Sequence, residues 1–143
     1  MLRKTASALI LIATLAVTAQ AAMAARSDTM KPQLVTTIMD KKLGAVLTTG
    51  SRQAIYVWNR EPKGTVKCNG ACAKAWPPVT VKAGVAVPAH IKDVTGTLGT
   101  LRRANGARQL TFNRRALYTY AHESAGQVLC NDVDGWFAIK VHA

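Results

Sequence analysis

Tyr56-Val57-Trp58-Asn59-Arg60-Glu61-Pro62-Lys63-Gly64-Thr65-Val66-Lys67-Cys68-Asn69 is answered further along the chain by Tyr118-Thr119-Tyr120-Ala121-His122-Glu123-Ser124-Ala125-Gly126-Gln127-Val128-Leu129-Cys130-Asn131. The offset is 62 throughout, from 118 − 56 to 131 − 69. Self-similarity of this kind marks a supersecondary unit that does not bury its apolar face alone. Two copies predict one small domain. In each copy the tyrosine and the next aromatic stand two apart, so on a strand both rings point to one face, which reads as core. Upstream, Gly50, Arg52 and Gln53 are echoed by Gly106, Arg108 and Gln109 at an offset of 56, and Leu43-Gly44 by Leu98-Gly99 at 55. That echo places about six extra residues in the second copy, around Leu110 to Arg115.

Outward from the motif, short runs rich in β-branched residues recur. Leu34 to Met39 and Ala45 to Thr49 flank a charged turn at Asp40-Lys41-Lys42 and read as a hairpin. Ala54 to Trp58, Val79 to Val81, Leu98 to Arg102, Gln109 to Phe112, Ala116 to Tyr120 and Trp136 to Val141 read as further strands, with turn chemistry at Gly50-Ser51 and Asn105-Gly106. Cys68 to Trp76 favours a short helical turn, stopped by Pro77-Pro78. The expected fold is all-β: two related β-units packed with pseudo-twofold symmetry. Repeat one covers residues 43–82, a connector 83–97 and repeat two 98–143, preceded by a lead-in with the first strand at 25–42.

Residues 1–24 read as a secretory signal, with Arg3 and Lys4 before an apolar run from Ala6 to Val17 and an Ala22-Met23-Ala24 cleavage site. The apolar run is short against the ~20 residues that span a bilayer, so no transmembrane segment is expected after cleavage. The reading is a periplasmic or secreted protein. The signal would remove two cations and no acid, leaving 17 basic against 7 acidic residues. A positive field of that size favours anionic partners. Export argues against nucleic acid and leaves envelope anionic polymer, lipid head groups or an acidic protein. Arg102, Arg103, Arg108, Arg114 and Arg115, dense in the second copy, are the candidate anion contacts.

The segment Cys68-Asn69-Gly70-Ala71-Cys72-Ala73-Lys74-Ala75-Trp76-Pro77-Pro78 is the densest in chemistry. Together with Tyr56-x-Trp58, Arg103-x-x-Gly106-x-x-Gln109-x-x-x-Asn113, Leu117-Tyr118-x-Tyr120 and Gly135-Trp136, it resembles the bacterial "secreted repeat of unknown function" family over roughly Leu43 to Val141. The resemblance implies an extracytoplasmic role and no established activity. The chain departs from that family's pattern in having Glu61 and Glu123 where its motif has Asp, and Arg114-Arg115-Ala116 where it usually has Gly-x-Pro. Cys130 is an addition to the usual cysteine pair.

Two cysteines four apart in an exported chain are most simply a disulfide, since one helical turn brings their Cα atoms to roughly 6 Å. Cys68 with Cys72 is therefore the expected pair and Cys130 the leftover thiol. A rival bridge joins Cys130 to Cys68 or Cys72 and staples the halves together. A third reading makes Cys68 and Cys72 a redox or copper centre, soft thiolates selecting Cu(I), with His122 or a methionine such as Met39 completing the shell. No histidine stands at ligand spacing from either cysteine, so the primary expectation is no metal and no cofactor.

Glu61 and Glu123 read as matched turn or salt-bridge residues, because repeat symmetry gives two similar sites where an acid-base pair needs unlike ones. Trp58, Trp76 and Trp136 read as core, Trp76 standing apart by its two prolines. No Ser-His-Asp set, phosphate-cradling loop or zinc quartet is present in the pattern. The expectation is an exported, non-catalytic binding protein of the cell envelope, with a thiol-based redox or copper-handling protein as the alternative.

Overall fold

Most of the β-branched runs form strands, but of Ala116 to Tyr120 only Ala116 lies in one, with Tyr118 in isolated bridges, and Trp136 to Val141 is strand only as far as Ala138. Val35–Asp40 (β1) and Gly44–Thr49 (β2) pair antiparallel from Val35 opposite Thr49 to Asp40 opposite Gly44. Asp40 Oδ1 closes the turn by accepting the N–H groups of Lys42 at 2.8 Å and Leu43 at 2.9 Å, a side-chain mimic of a backbone turn. The computed structural model describes residues 33–142, so the signal at 1–24 and the lead-in up to Pro32 lie outside the described residues. Tyr56–Trp58 (β3), Ala71–Ala75 (α1), Thr80–Val81 (β4), Leu98–Arg102 (β5), Arg108–Phe112 (β6), Arg115–Ala116 (β7) and Trp136–Ala138 (β8) follow. The protein is all-β, in small antiparallel sheets: β1 with β2, β3 with β8, and β4-β6-β5 with β7 also on β6.

Two triangles of backbone hydrogen bonds tie these strands together. Ile55 N donates to Leu47 O at 3.0 Å, Leu47 N to Ile139 O at 2.9 Å, and Ile139 N to Ile55 O at 3.1 Å. Leu117 N donates to Leu110 O at 3.0 Å, Leu110 N to Val79 O at 2.8 Å, and Val79 N to Leu117 O at 2.9 Å. Each triangle takes two strands from one half and the last strand of the other. The triangles meet where Tyr56 and Tyr118 exchange both backbone bonds, at 2.8 and 3.0 Å. The fold is therefore intertwined, and the contacts are pseudo-twofold.

This arrangement corrects the upstream alignment. Leu47 corresponds to Leu110, an offset of 63 (110 − 47), and Gly50 N bonds Leu34 O as Asn113 N bonds Thr97 O. Gly50 and Gly106 lie in different turns, the first after β2 and the second between β5 and β6. The counterpart of Arg52 is Arg114: both have φ of 67°, and their carbonyls accept from Gly126 N at 2.8 Å and Gly64 N at 2.7 Å. The first strand, read from sequence as part of the lead-in, is thus the equivalent of β5 and integral to the β-body. The length difference falls elsewhere. From Asn69 to Trp76 is seven steps and from Asn131 to Trp136 five, so α1 is a two-residue expansion of a loop that stays a plain turn in the second half.

Two apolar clusters fill the interior. Leu47, Ile55, Leu110, Leu117 and Ile139 from the triangles pack with Val35, Leu98 and Phe112. Tyr56, Tyr118, Trp76, Trp136, Cys68 and Cys130 form the other.

Candidate functional site

The residues singled out by the motif converge on the second cluster, and the strand period explains why. Tyr56 and Tyr118 face each other across the bridge between the halves, so their side chains leave the backbone on one face. Tyr56 Oη donates to Glu123 Oε1 at 2.5 Å, and Tyr118 Oη donates to Glu61 Oε1 at 2.8 Å. Each glutamate also folds its own loop back. Glu61 Oε1 accepts from Lys67 N at 2.5 Å and Cys68 N at 3.3 Å; Glu123 Oε1 accepts from Leu129 N at 2.5 Å. In the second half Cys130 N reaches Tyr56 Oη at 3.4 Å instead.

Both glutamates are buried and neither has a cation among its hydrogen-bond partners, so they are not salt-bridge residues. They hold turns, as the sequence reading allowed, but from the inside. Their environments differ. Glu123 Oε2 is buried without a partner, and burial pushes this carboxyl above its ordinary range against the lowering effect of the Tyr56 and Leu129 bonds. Burial, then the adjacent carboxylate, pushes both tyrosine hydroxyls well above the usual phenol range.

Beside the latches runs a column of rings. Trp58 stacks on Trp136 with centroids 5.5 Å apart, Trp136 on Trp76 at 3.9 Å, and Trp76 tilts against Tyr120 at 4.8 Å. Tyr56 meets Trp76 edge-on and Tyr118 meets Trp136 edge-on, the same contact in both halves. Offset and edge-to-face contacts of this kind add to area burial. Trp76 is thus core like Trp136, while Trp58 is half-buried at the edge of the cluster, and the prolines after Trp76 aim the chain: Pro77 O accepts Thr119 N at 2.9 Å while Pro78 bridges Tyr118.

Cys68 and Cys72 form a disulfide with Cα atoms 5.2 Å apart, at the start of α1. Cys130 is free and buried, so the rival bridge between the halves is not formed. The structure gives the reason for the leftover thiol. Cys130 occupies the place of Cys68, but its loop lacks the two-residue expansion that carries Cys72. Burial, and then the Glu123 charge, push the Cys130 thiol up. His122, proposed as a copper ligand, packs edge-on against Tyr120 at 5.4 Å. Among the described residues no group of three His, Cys, Asp or Glu side chains is arranged to hold a metal ion.

Of the five arginines, one is withdrawn from the surface and the other four lie in two pairs. Arg103 is buried, donating to Gln109 Oε1 at 2.6 Å and to Cys68 O and Asn69 Oδ1 at 2.9 Å, which removes it from the surface. Arg102 and Arg108 are opposite each other at one end of β6, and Arg114 and Arg115 follow its other end, roughly 13 Å away at the usual rise per strand residue. Arg108 donates to Val85 O at 3.1 Å and Arg115 to Trp58 O at 2.7 Å, so both are half-spent on backbone.

Sequence reasoning missed Arg60, Lys63 and Lys67, which lie exposed on the loop that Glu61 closes, beside Arg114. The signal was available in the comparison of the copies: the matching positions are His122, Ala125 and Leu129. Compared with known proteins, the chain matches no family model, no curated protein and no solved structure.

Proposed function

We propose that this chain is an exported, non-catalytic binding protein of the bacterial cell envelope, periplasmic or secreted, with an anionic partner, and a member of the secreted-repeat family it resembles. The observation that carries this reading is the fate of its carboxylates. Glu61 and Glu123 turn inward, which leaves Asp40, Asp93, Asp132 and Asp134 as the described acids outside the interior, while of the described basic side chains only Arg103 is buried. Few described carboxylates are therefore left at the surface to pair with the exposed cations, and a positive surface field concentrates anions. A non-catalytic role is supported by what the glutamates do: both serve as acceptors for loop N–H groups and tyrosine hydroxyls. The test is retention of the full chain on an immobilised polyanion, with binding that weakens steeply from low to physiological salt. Salt-independent binding, or none, overturns the reading.

A second reading, thiol-based redox or copper handling at Cys68 and Cys72, is favoured by one observation: Cys72 is only half-buried and so open to an attacking thiol. In the structure the two sulfurs are bonded to each other, so copper binding would follow reduction. Titration of the reduced protein with Cu(I) against a chelator, repeated on Cys68→Ser, decides it; cysteine-independent or weak binding removes this reading.

A further inference from the structure

We propose that the loop bearing Arg60, Lys63 and Lys67, with Arg114 laid across Gly64, is the surface that binds a linear polyanion. This rests on the anionic-partner reading and assigns it a place. The loop is drawn into a compact crown by its own backbone: Lys67 N is bound to the Glu61 carboxylate at 2.5 Å, Thr65 N to Pro62 O at 3.2 Å, and Gly64 N to Arg114 O at 2.7 Å. The Arg114 guanidinium passes within van der Waals contact of where a Cβ on Gly64 would lie. Arg60 and Lys67 thus flank one buried carboxylate, and Lys63 and Arg114 flank one glycine. All four cations are exposed, and Glu61, the acid of this loop, points inward.

The second half supplies an internal comparison. Its loop is built on the same plan, with Glu123 closing on Leu129 and Gly126 N bound to Arg52 O, yet it carries His122, Ala125 and Leu129 where the first has Arg60, Lys63 and Lys67. The scaffold does not require cations at these positions, so the crown's charge is separate from what holds the loop closed. Partner chemistry follows from what stands between the cations. Pro62, Gly64 and Thr65 offer no large apolar side chain for insertion among lipid tails and Val66 packs against the core, whereas the exposed Met39 (79%) and Leu129 (56%) border the other loop. Several cations on one short loop and no enclosing pocket suit a chain that engages them in succession, where binding strengthens with the number of linked charges.

The test compares long-chain polyphosphate, orthophosphate, and vesicles of phosphatidylglycerol as probes of the full chain at low salt. The variant Lys63→Gln/Lys67→Gln/Arg114→Gln is set against Lys41→Gln/Lys42→Gln/Arg52→Gln, which loses the same charge beside the second half's loop. Loss of polyphosphate affinity on the order of tenfold in the first and a much smaller change in the second is expected, as three surface contacts of a few tenths of a kcal/mol each combine. Should the triple variant unfold, Lys63→Gln/Lys67→Gln serves, since among the described residues neither ammonium group has a hydrogen-bond partner. Equal losses in both triple variants overturn the crown and leave the anionic reading standing. Orthophosphate binding as tight as the polymer, or vesicles bound in preference to it, overturns the linear polyanion. No binding to any probe overturns both.

Discussion

Tyr56 and Glu123, 67 residues apart in the chain, are joined by a hydrogen bond of 2.5 Å, and the reciprocal bond from Tyr118 to Glu61 is 2.8 Å. One carboxylate oxygen therefore does two jobs at each site. It closes a loop within its own half and accepts a hydrogen bond from a hydroxyl of the other, so loop order and association of the halves rise and fall together.

Removing these hydroxyls should destabilise the fold unequally. Tyr56→Phe leaves Glu123 Oε1 with Leu129 N alone and an already orphaned Oε2, whereas Tyr118→Phe leaves Glu61 Oε1 with two backbone donors. The first substitution is expected to cost about 2–3 kcal/mol and the second about 1 kcal/mol in urea unfolding. Equal costs would show that the unpartnered oxygen is immaterial.

Glu123 also sets a pH dependence. Its folded-state pKa is raised by burial, so the folded protein holds this proton more tightly than the unfolded chain. Its contribution is fully present below the unfolded carboxyl pKa and is lost as pH rises through the folded value. Stability of the native protein relative to Glu123→Gln should accordingly decline on going from mildly acidic to neutral pH. A difference between the two that stays flat, or grows, across that range contradicts the assignment.

Arg103 should prove a structural residue. Arg103→Met leaves Gln109 Oε1, Cys68 O and Asn69 Oδ1 without this donor in the interior, a loss of about 2–3 kcal/mol. Polyanion affinity of the folded variant should match that of the native protein. Weakened binding at unchanged stability would return Arg103 to the list of contacts.

The thiols are open to direct counting. Without reductant one thiol per chain should react in denaturant, and that thiol should react slowly in the native state, where Cys130 is buried and holds its proton. Cys72→Ala should cost only about 1–2 kcal/mol, because a bridge between residues four apart closes a small loop. Three reactive thiols would exclude the pairing.

The halves should not fold apart. Residues 33–82 alone would lack Ile139, and residues 98–142 alone would lack Val79, breaking both triangles. Each fragment is expected to show no cooperative thermal transition, with recovery on mixing and a near-ultraviolet circular dichroism signal from the Trp76–Trp136 stack. A cooperative transition in either fragment by itself would mean that the exchanged strands are dispensable.

The period-2 runs, the turn residues and the constant offset of 62 made most of the strands, the short helix, the all-β class and the Cys68–Cys72 bridge readable from the chain, because each depends on neighbours a few residues away. The offset of 56 misled because Gly-x-Arg-Gln is a turn signature that two unrelated turns share. What only the tertiary structure decided was partnership at long range: which tyrosine meets which glutamate, that Arg103 faces inward, and that each half lends its last strand to the other. Local pattern specifies whether a side chain can be buried. Its partner is chosen by the packing of strands far apart in sequence, where an unpaired carboxylate or guanidinium in the interior would cost more than the fold can spare.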